Sequence, residues 1–516
     1  MKPVLTPAEM AAADERAIAA GTPVEMLMER AGRAVAWAVR RVAGAAYGRR
    51  VAIVCGKGNN GGDGLVAARV LRGWGMRADV LALAELGDGA EARAAVARAV
   101  GRADVVVDAM YGTGFRGALE GAARDVVAVL DADTARPPVV AVDIPSGVDG
   151  LTGAVAGAAV RAHVTVAFAA LKPGLLFEPG RTRAGAVDLV DIGIDVAAAR
   201  VAVTERGDVV APAQRRARTA HKWQSGVMVV GGSAGMTGAP MMASRAALRA
   251  GAGIVWCYMA HAAAGASAGA AGGEVITRAV PATPDGGLDG AAVPELLHSA
   301  GRFGALVVGP GLGRSEATAA AVRRLVAEAT VPLVLDADGL NALDGDLAPL
   351  TRRAAPTVLT PHAGEYERVA GGPVGDDRLA AARRLAERAG SVVLLKGPAT
   401  VIAAPDGTAR INPTGGEWLA TGGTGDVLSG LVGAFLAGGG ASDPLSAAAG
   451  AAWVHGRAAD HAGHAGLVAG DLIDAVPPTL REIQVRTSGP GGAAPGIPAP
   501  SEGAMEQVRK RPGRGR

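Results

Sequence analysis

Short, continuous apolar runs recur along the chain, spaced so that a helix fits between each pair. In the first half they are Val51–Cys55, Ala78–Leu83, Val105–Asp108, Val139–Val142 and Val164–Phe168. In the second half they are Val227–Val230, Leu306–Val308, Leu333–Leu335, Val358–Leu359 and Val392–Leu395. A strand buried on both faces shows no polar alternation, so this rhythm predicts parallel sheets with helices on either side. Ahead of the first run, Thr6-Pro7-Ala8-Glu9 has the form of a capping box with proline in the first turn, opening a helix that ends near Gly21. Met26, Leu27, Ala31, Val35 and Val39 follow at helical spacing. Val401–Ala403 and Ala409–Asn412 flank Asp406-Gly407 and predict a hairpin.

Between the two series, residues 196–220 carry no clear period beyond Val201–Val203 and the basic run Arg215–Arg218, and read as a linker. From about Arg486 onward the chain is Gly, Pro, Ser and Arg without periodicity, which predicts a disordered tail. The expected division is 1–200, 210–482 and a tail over 483–516, each of the first two being an α/β domain.

Composition narrows the function. Of the 516 residues 49% are hydrophobic but only 3% aromatic, so the cores are built of Ala, Val and Leu. A formal net charge of +3, carried on dispersed arginines, argues against nucleic-acid binding. Cys55 and Cys257 lie far apart in apolar runs and read as buried thiols of a reducing compartment. The first ten residues lack a basic segment followed by an apolar one, and the alanine-rich stretches near 260–271 and after Asp426 are broken by glycines. A cytoplasmic protein without a membrane span is expected.

The chemistry-bearing residues sit where strands end, where ligands of open parallel sheets bind. In the second half, Thr421-Gly422-Gly423-Thr424-Gly425-Asp426 opens an apolar helix. Glycines there allow close approach of backbone N–H groups to a phosphate at the positive end of the helix dipole. Asp426 is placed to take a proton from an attacking hydroxyl. In the first half three loops stand out: Gly56–Gly64 with Asn59, Asn60, Gly61, Gly62 and Asp63; Asp108–Gly117; and Asp143-Ile144-Pro145-Ser146-Gly147. Asn60, Asp108 and Ser146 offer oxygens suited to a hard monovalent cation without stacking up charge. His362, beside Glu365, divides evenly between a buried structural histidine and a site residue. His455, His461 and His464 lack metal-ligand spacing and read as surface or helix-end histidines.

These motifs carry two resemblances. Gly-Asn-Asn-Gly-Gly-Asp-Gly, Val-Asp-Ala-x-x-Gly-Thr-Gly, Val-Asp-Ile-Pro-Ser-Gly and Leu171-Lys172-Pro173-Gly174 resemble the NAD(P)H-hydrate epimerase family over about 1–195. That likeness implies a Rossmann-like three-layer sandwich that interconverts the R and S epimers of hydrated NADH and NADPH. Asn59, Asn60, Gly61, Gly62 and Asp63 would line the nucleotide site, together with Gly112, Thr113, Gly114, Phe115, Arg116, Gly117 and Ala118. Asp143 would contact the hydrated nicotinamide and act in catalysis. Asn60, Asp108 and Ser146 would hold potassium. Lys172 is either a further site residue or the anchor of a tight Pro-Gly turn.

Gly-Gly-Thr-Gly-Asp resembles the anion-hole and base signature of ribokinase-like kinases. Thr360-Pro-His362-Ala-Gly-Glu365 and Asn412-Pro-Thr-Gly-Gly416 are similar to its ADP- or ATP-dependent NAD(P)H-hydrate dehydratase branch over roughly 210–482. This implies that Ala239, Gly311, His362 and Asp426 contact the S-hydrate. Lys396, Gly397, Pro398, Ala399, Thr400 and Gly425 would contact the adenine nucleotide, which brings magnesium. Trp223 stands where that branch has a glycine. The expected partners are NADHX or NADPHX and ADP or ATP, with neither nucleic acid nor membrane, and a homo-oligomer is expected. One alternative is a vitamin-precursor kinase fused to a non-catalytic binding domain, like related mRNA-decapping scaffold proteins.

Overall fold

The structure is a computed structural model that describes residues 1–87, 89–132, 136–211, 213, 219–260, 273–438, 443–463 and 465–485. The chain divides into two compact units, Lys2–Ala199 and Arg200 onward. Among the described residues no helix is long and apolar enough to cross a membrane. The tail from Arg486, His464 and the basic run Arg215–Arg218 lie outside the described residues.

In the first unit six strands form one parallel sheet in the order Arg77–Ala82, Arg50–Cys55, Val105–Ala109, Val139–Val142, Val164–Phe168, Ala186–Val190. All five expected runs are strands. The sixth, Ala-Val-Asp-Leu-Val, is half-buried at the sheet edge, which is why its pattern escaped the search for continuous apolar runs. Both N-terminal helices form, at Pro7–Ala19 and Val24–Ala43, and the Thr6–Glu9 capping box is made in both directions. The helix after the strand Arg50–Cys55 begins at Asn59, inside the expected loop Gly56–Gly64, so Asn59, Asn60 and Asp63 lie on its opening turns.

In the second unit the sheet order is Val201–Val203, Ala409–Ile411, Val401–Ala403, Val392–Leu395, Thr357–Leu359, Leu333–Leu335, Ala305–Val308, Gly226–Val230, Ile254–Ala260, Ile276–Val280. The expected hairpin is antiparallel to its neighbour Val392–Leu395, with Val393 opposite Ala403. The remaining pairings are parallel. Residues 201–209 are not linker. Val201–Val203 pairs with Ala409–Ile411, and the turn of helix Arg206–Val209 buries Val209 in the second core. The short strand-like run Val201–Val203 is a strand, but three residues cannot show which domain they join, and pairing with a distant strand decides that. The helix Thr424–Ala437 is apolar on nearly every face and is buried between the sheet and the helices Gly238–Arg249 and Pro444–Ala462.

Candidate functional sites

In the first unit the strand-end loops and the N-terminal helices enclose a cleft of about 1050 Å³. Asp14, Asn59, Asn60, Asp63, Gly112–Arg116, Asp143 and Lys172 line it. Asp143 closes the fourth strand with φ 65°, a left-handed conformation that costs a non-glycine residue energy and is held by its N–H donating to Val166 O at 2.8 Å. The Lys172 ammonium, 1% exposed, donates to Asp143 Oδ1 at 2.5 Å and to Phe168 O at 3.0 Å. Lys172 therefore lines the cleft, ion-paired with Asp143. Burial, followed by repulsion from Asp143 and Asp14, pushes the Asp63 carboxyl up to about 8. Asp14 was not anticipated from the sequence; burial raises it, while Lys172 opposes and Asp143 adds to the rise.

Behind the cleft lies Asp108, 1% exposed. Its Oδ1 accepts from the Ser146 hydroxyl at 2.6 Å and the Met110 N–H at 3.2 Å, and its Oδ2 accepts from the Ser146 N–H at 2.8 Å. All three donors are neutral, so burial still lifts this carboxyl to about 6 against their pull. Across the 108–112 loop, the buried Asn60 Nδ2 has no hydrogen-bond partner. A side-chain amide can turn over to exchange its oxygen and nitrogen, so the same position can present an acceptor. A buried carboxyl held by neutral donors only, with an unsatisfied amide lining the adjoining cleft against Gly112, fits a cation.

Not every expected cleft residue lines the cleft. Gly61 and Gly62 serve packing: a Cβ at Gly61 would stand 2.0 Å from Gly56 O, and one at Gly62 would stand 2.6 Å from the end of Met28. Gly117 and Ala118 lie outside the cleft lining, beyond Arg116, which pairs with Asp149 at 3.5 Å.

In the second unit Lys396 ends the strand Val392–Leu395 and is held between two acids, Asp336 at 2.9 Å and Glu365 at 3.5 Å. Burial alone would raise Asp336, but Lys396 and the hydroxyl of Ser429, which donates to Asp336 Oδ2, hold it below the usual carboxylate range. Burial alone would lower Lys396, but the two acids raise it, so the ammonium stays charged. Gly423, at φ 90°, turns the chain into the helix Thr424–Ala437, whose first turn has no side-chain cap. A Cβ on Gly425 would lie 3.6 Å from Lys396 Nζ, so the glycine turn and the ammonium face one another. Asp426 is half-buried. Burial first, then repulsion by Asp336, Glu365 and Asp338 against the pull of Lys396, pushes its carboxyl up to about 7.

His362 is the N-cap of the helix Ala363–Ala370: its Nδ1 accepts from Gly364 N at 3.0 Å and Glu365 N at 3.3 Å, and Glu365 answers the His362 N–H at 2.8 Å. The rest of its ring is exposed, so it is not a buried structural histidine. Ala239 and Gly311 come together, a Cβ on Gly311 standing 3.5 Å from the Ala239 Cβ. Gly397 and Ala399 take positive φ, and Thr400 O accepts from Asn412 N at 2.9 Å, which ties 396–400 to the Asn412-Pro-Thr turn. Trp223 packs edge-on against Trp256 and Phe303 at centroid distances of 5.7 and 5.5 Å. His461 sits in the last turn of its helix and meets Glu482 at 2.9 Å. His455 is neither at the surface nor at a helix end: it is buried mid-helix, with its Nε2 on Thr424 O at 2.8 Å.

Comparison with known proteins agrees with this division. A family model described as NAD(P)H-hydrate dehydratase matches residues 227–477, and one described as YjeF-related protein N-terminus matches 24–99 and 88–174. A bifunctional NAD(P)H-hydrate repair enzyme Nnr of Moorella thermoacetica is 40% identical, covering 90% of this chain and 93% of its own length. The Mycobacterium tuberculosis protein of the same description is 42% identical over 82% of this chain and 86% of its own. Among solved structures, the ADP/ATP-dependent NAD(P)H-hydrate dehydratase of Bacillus subtilis, co-crystallised with ATP and Mg2+, is 30% identical and covers 52% of this chain and 94% of its own, with a TM-score of 0.44. At this identity and coverage, the chain belongs to the family of bifunctional NAD(P)H-hydrate repair enzymes.

Proposed function

We propose that the protein repairs hydrated nicotinamide nucleotides: the first unit epimerises R- and S-NAD(P)H-hydrate, and the second dehydrates the S form at the expense of ADP or ATP. The observation that carries the second activity is a carboxyl near neutrality, Asp426, beside an uncapped glycine helix start and a charged lysine. A base titrating near 7 is about half ionised at neutral pH and accepts a proton readily. Asp426 takes the proton of the hydroxyl on carbon 6 as that oxygen attacks the terminal phosphoryl group. The Gly422–Gly425 amides and Lys396 stabilise the charge on the transferring group. Loss of phosphate from carbon 6, together with a proton from the neighbouring carbon 5, then restores the ring double bond, with AMP and phosphate as the other products when ADP is the donor. No group of three or more His, Cys, Asp or Glu placed for a metal occurs among the described residues. Magnesium therefore fits here as a companion of the nucleotide phosphates rather than in a protein cage.

In the first unit, epimerisation at carbon 6 needs the carbon–oxygen bond to break and reform, with a proton supplied to the leaving hydroxyl and taken from the returning water. Asp143 is the group for that exchange, giving the proton to the leaving hydroxyl and taking it back from the returning water, and Lys172 fixes its position. Asn60, Asp108 and Ser146 would hold potassium, which when bound supplies the missing counter-charge and orders the 108–112 loop.

A vitamin-precursor kinase would leave a stable phosphorylated product. Incubating the protein with a mixture of R- and S-hydrates plus ADP or ATP, while following NADH absorbance and free phosphate, separates the two. Regenerated absorbance with stoichiometric phosphate is expected; a phosphorylated product that persists would overturn the proposal.

A further inference from the structure

The long helix Pro444–Ala462 contributes no residue to the proposed chemistry, yet it grips both segments that form the dehydratase site. Asn412 Nδ2 donates to Ala452 O at 3.1 Å, and the Thr414 hydroxyl donates to Trp453 O at 3.0 Å. A Cβ on Gly456 would stand 2.4 Å from Thr414 Oγ1, so the Asn-Pro-Thr-Gly turn lies directly on the helix. One position earlier, His455, 8% exposed, sets its Nε2 2.8 Å from the carbonyl of Thr424. A carbonyl only accepts, so Nε2 carries the hydrogen and the tautomer is fixed.

That carbonyl belongs to the peptide joining Thr424 to Gly425. In a trans peptide the C=O and the next N–H point in opposite directions. Holding Thr424 O on His455 therefore aims the Gly425 N–H away from the helix Pro444–Ala462 and out of the open helix start. The Thr424 hydroxyl adds a second brace, its one hydrogen within reach of Leu419 O at 2.8 Å and Thr421 O at 2.9 Å. Burial keeps the imidazole neutral, down to about 4, so the contact does not change over the working pH range.

We infer that His455 is a positioning residue of the dehydratase site: its hydrogen bond to Thr424 O sets the direction of the Gly425 amide and the place of Asp426, without itself touching substrate. This rests on the proposal that the second unit transfers a phosphoryl group.

The test compares His455→Leu, which fills similar space without a donor, with His455→Gln, which keeps a neutral N–H donor. Four quantities are measured in the full chain: the melting temperature, the dissociation constant for ADP, kcat for dehydration, and the pH–rate profile. The Leu variant should lose about tenfold to a hundredfold in kcat, the scale of a slightly misplaced reacting group, and bind ADP more weakly. The Gln variant should recover a clear part of both. The acid limb of the pH profile should stay where the wild type has it, because His455 is not the titrating group. A folded Leu variant within twofold of wild type in kcat and ADP affinity overturns the inference. So does a Gln variant that is folded and as impaired as Leu, since bulk rather than the hydrogen bond would then matter. If the Leu variant is insoluble, the Gln variant decides alone: ADP affinity near wild type supports the role, and its loss from a folded protein refutes it. ADP binding separates the two ideas, because wild-type protein that binds ADP without dehydrating the hydrate defeats the proposed function and leaves the His455 comparison readable.

Discussion

The two sites use the same ingredients, buried carboxyls beside one lysine, and arrange them oppositely. In the first unit Lys172 pairs directly with the acid proposed to react, Asp143, at 2.5 Å. In the second, Lys396 is occupied by Asp336 and Glu365, and the proposed base Asp426 is left without a cation of its own. The first arrangement holds the reacting carboxyl in a fixed place. The second lifts a carboxyl to neutrality and turns the ammonium toward the glycine turn. A lysine near an aspartate thus has no single meaning; what matters is which acid it neutralises.

The sharpest way to break this comparison is Asp426→Asn. Dehydration should fall by about a hundredfold to ten-thousandfold, the usual cost of a positioned base, while ADP binding and epimerisation persist. A mutant within threefold of wild type in kcat would show that Asp426 is not the base. Next is Lys172→Met, which leaves the buried Asp143 carboxyl without its partner. Breaking such a pair costs about 3 kcal/mol of stability, and epimerisation should be lost with it. Adding Asp143→Asn should return much of the melting temperature and none of the activity; restored epimerisation in the double variant would contradict the ion-pair role.

The pH dependence follows from the direction of the Asp426 shift. The folded state keeps this proton up to about pH 7, whereas the unfolded chain releases it near 3.8. Between those values the folded state binds more protons, so the stability contribution is present at low pH and is lost as pH rises through 7. Asp426→Asn should therefore melt higher than wild type at pH 8.5 and show little difference at pH 4. The wild-type dehydration rate should rise with pH along a limb near 7. Equal melting temperatures at both pH values would remove the unpaired-carboxyl reading.

A smaller effect tests the cation behind the first cleft. Potassium should raise the melting temperature of the first unit relative to a bulky organic cation at equal ionic strength, and Asp108→Asn should erase the difference. Smallest of all is the effect of separating the units. Fragments 1–199 and 200–485 should each fold and keep their own activity, as units with independent cores do. Beginning the second at residue 210 should lower its melting temperature, because the buried strand Val201–Val203 is then missing. An unchanged melting temperature would show that this strand is dispensable.

The sequence alone determined most of the architecture. Doubly covered parallel strands must be apolar throughout, so runs such as Val105–Asp108 and Val392–Leu395 announced themselves. The glycine turns and lone acids at their ends marked the candidate sites, and the Thr6–Glu9 box marked the start of the first helix. These are local rules, in which neighbouring residues carry the whole signal. Tertiary structure decided what depended on distant partners. Val201–Val203 became a strand because Ala409–Ile411 lies beside it. Lys172 resolved into an ion pair because Asp143 takes a left-handed turn towards it. Asp14 joined the first cleft from a helix near the start of the chain. His455, one histidine in an alanine-rich helix, gained a role only because that helix packs against the turn at Thr424. A proton's affinity and an amide's direction are set by what folding brings within a few ångströms, and no local pattern encodes that.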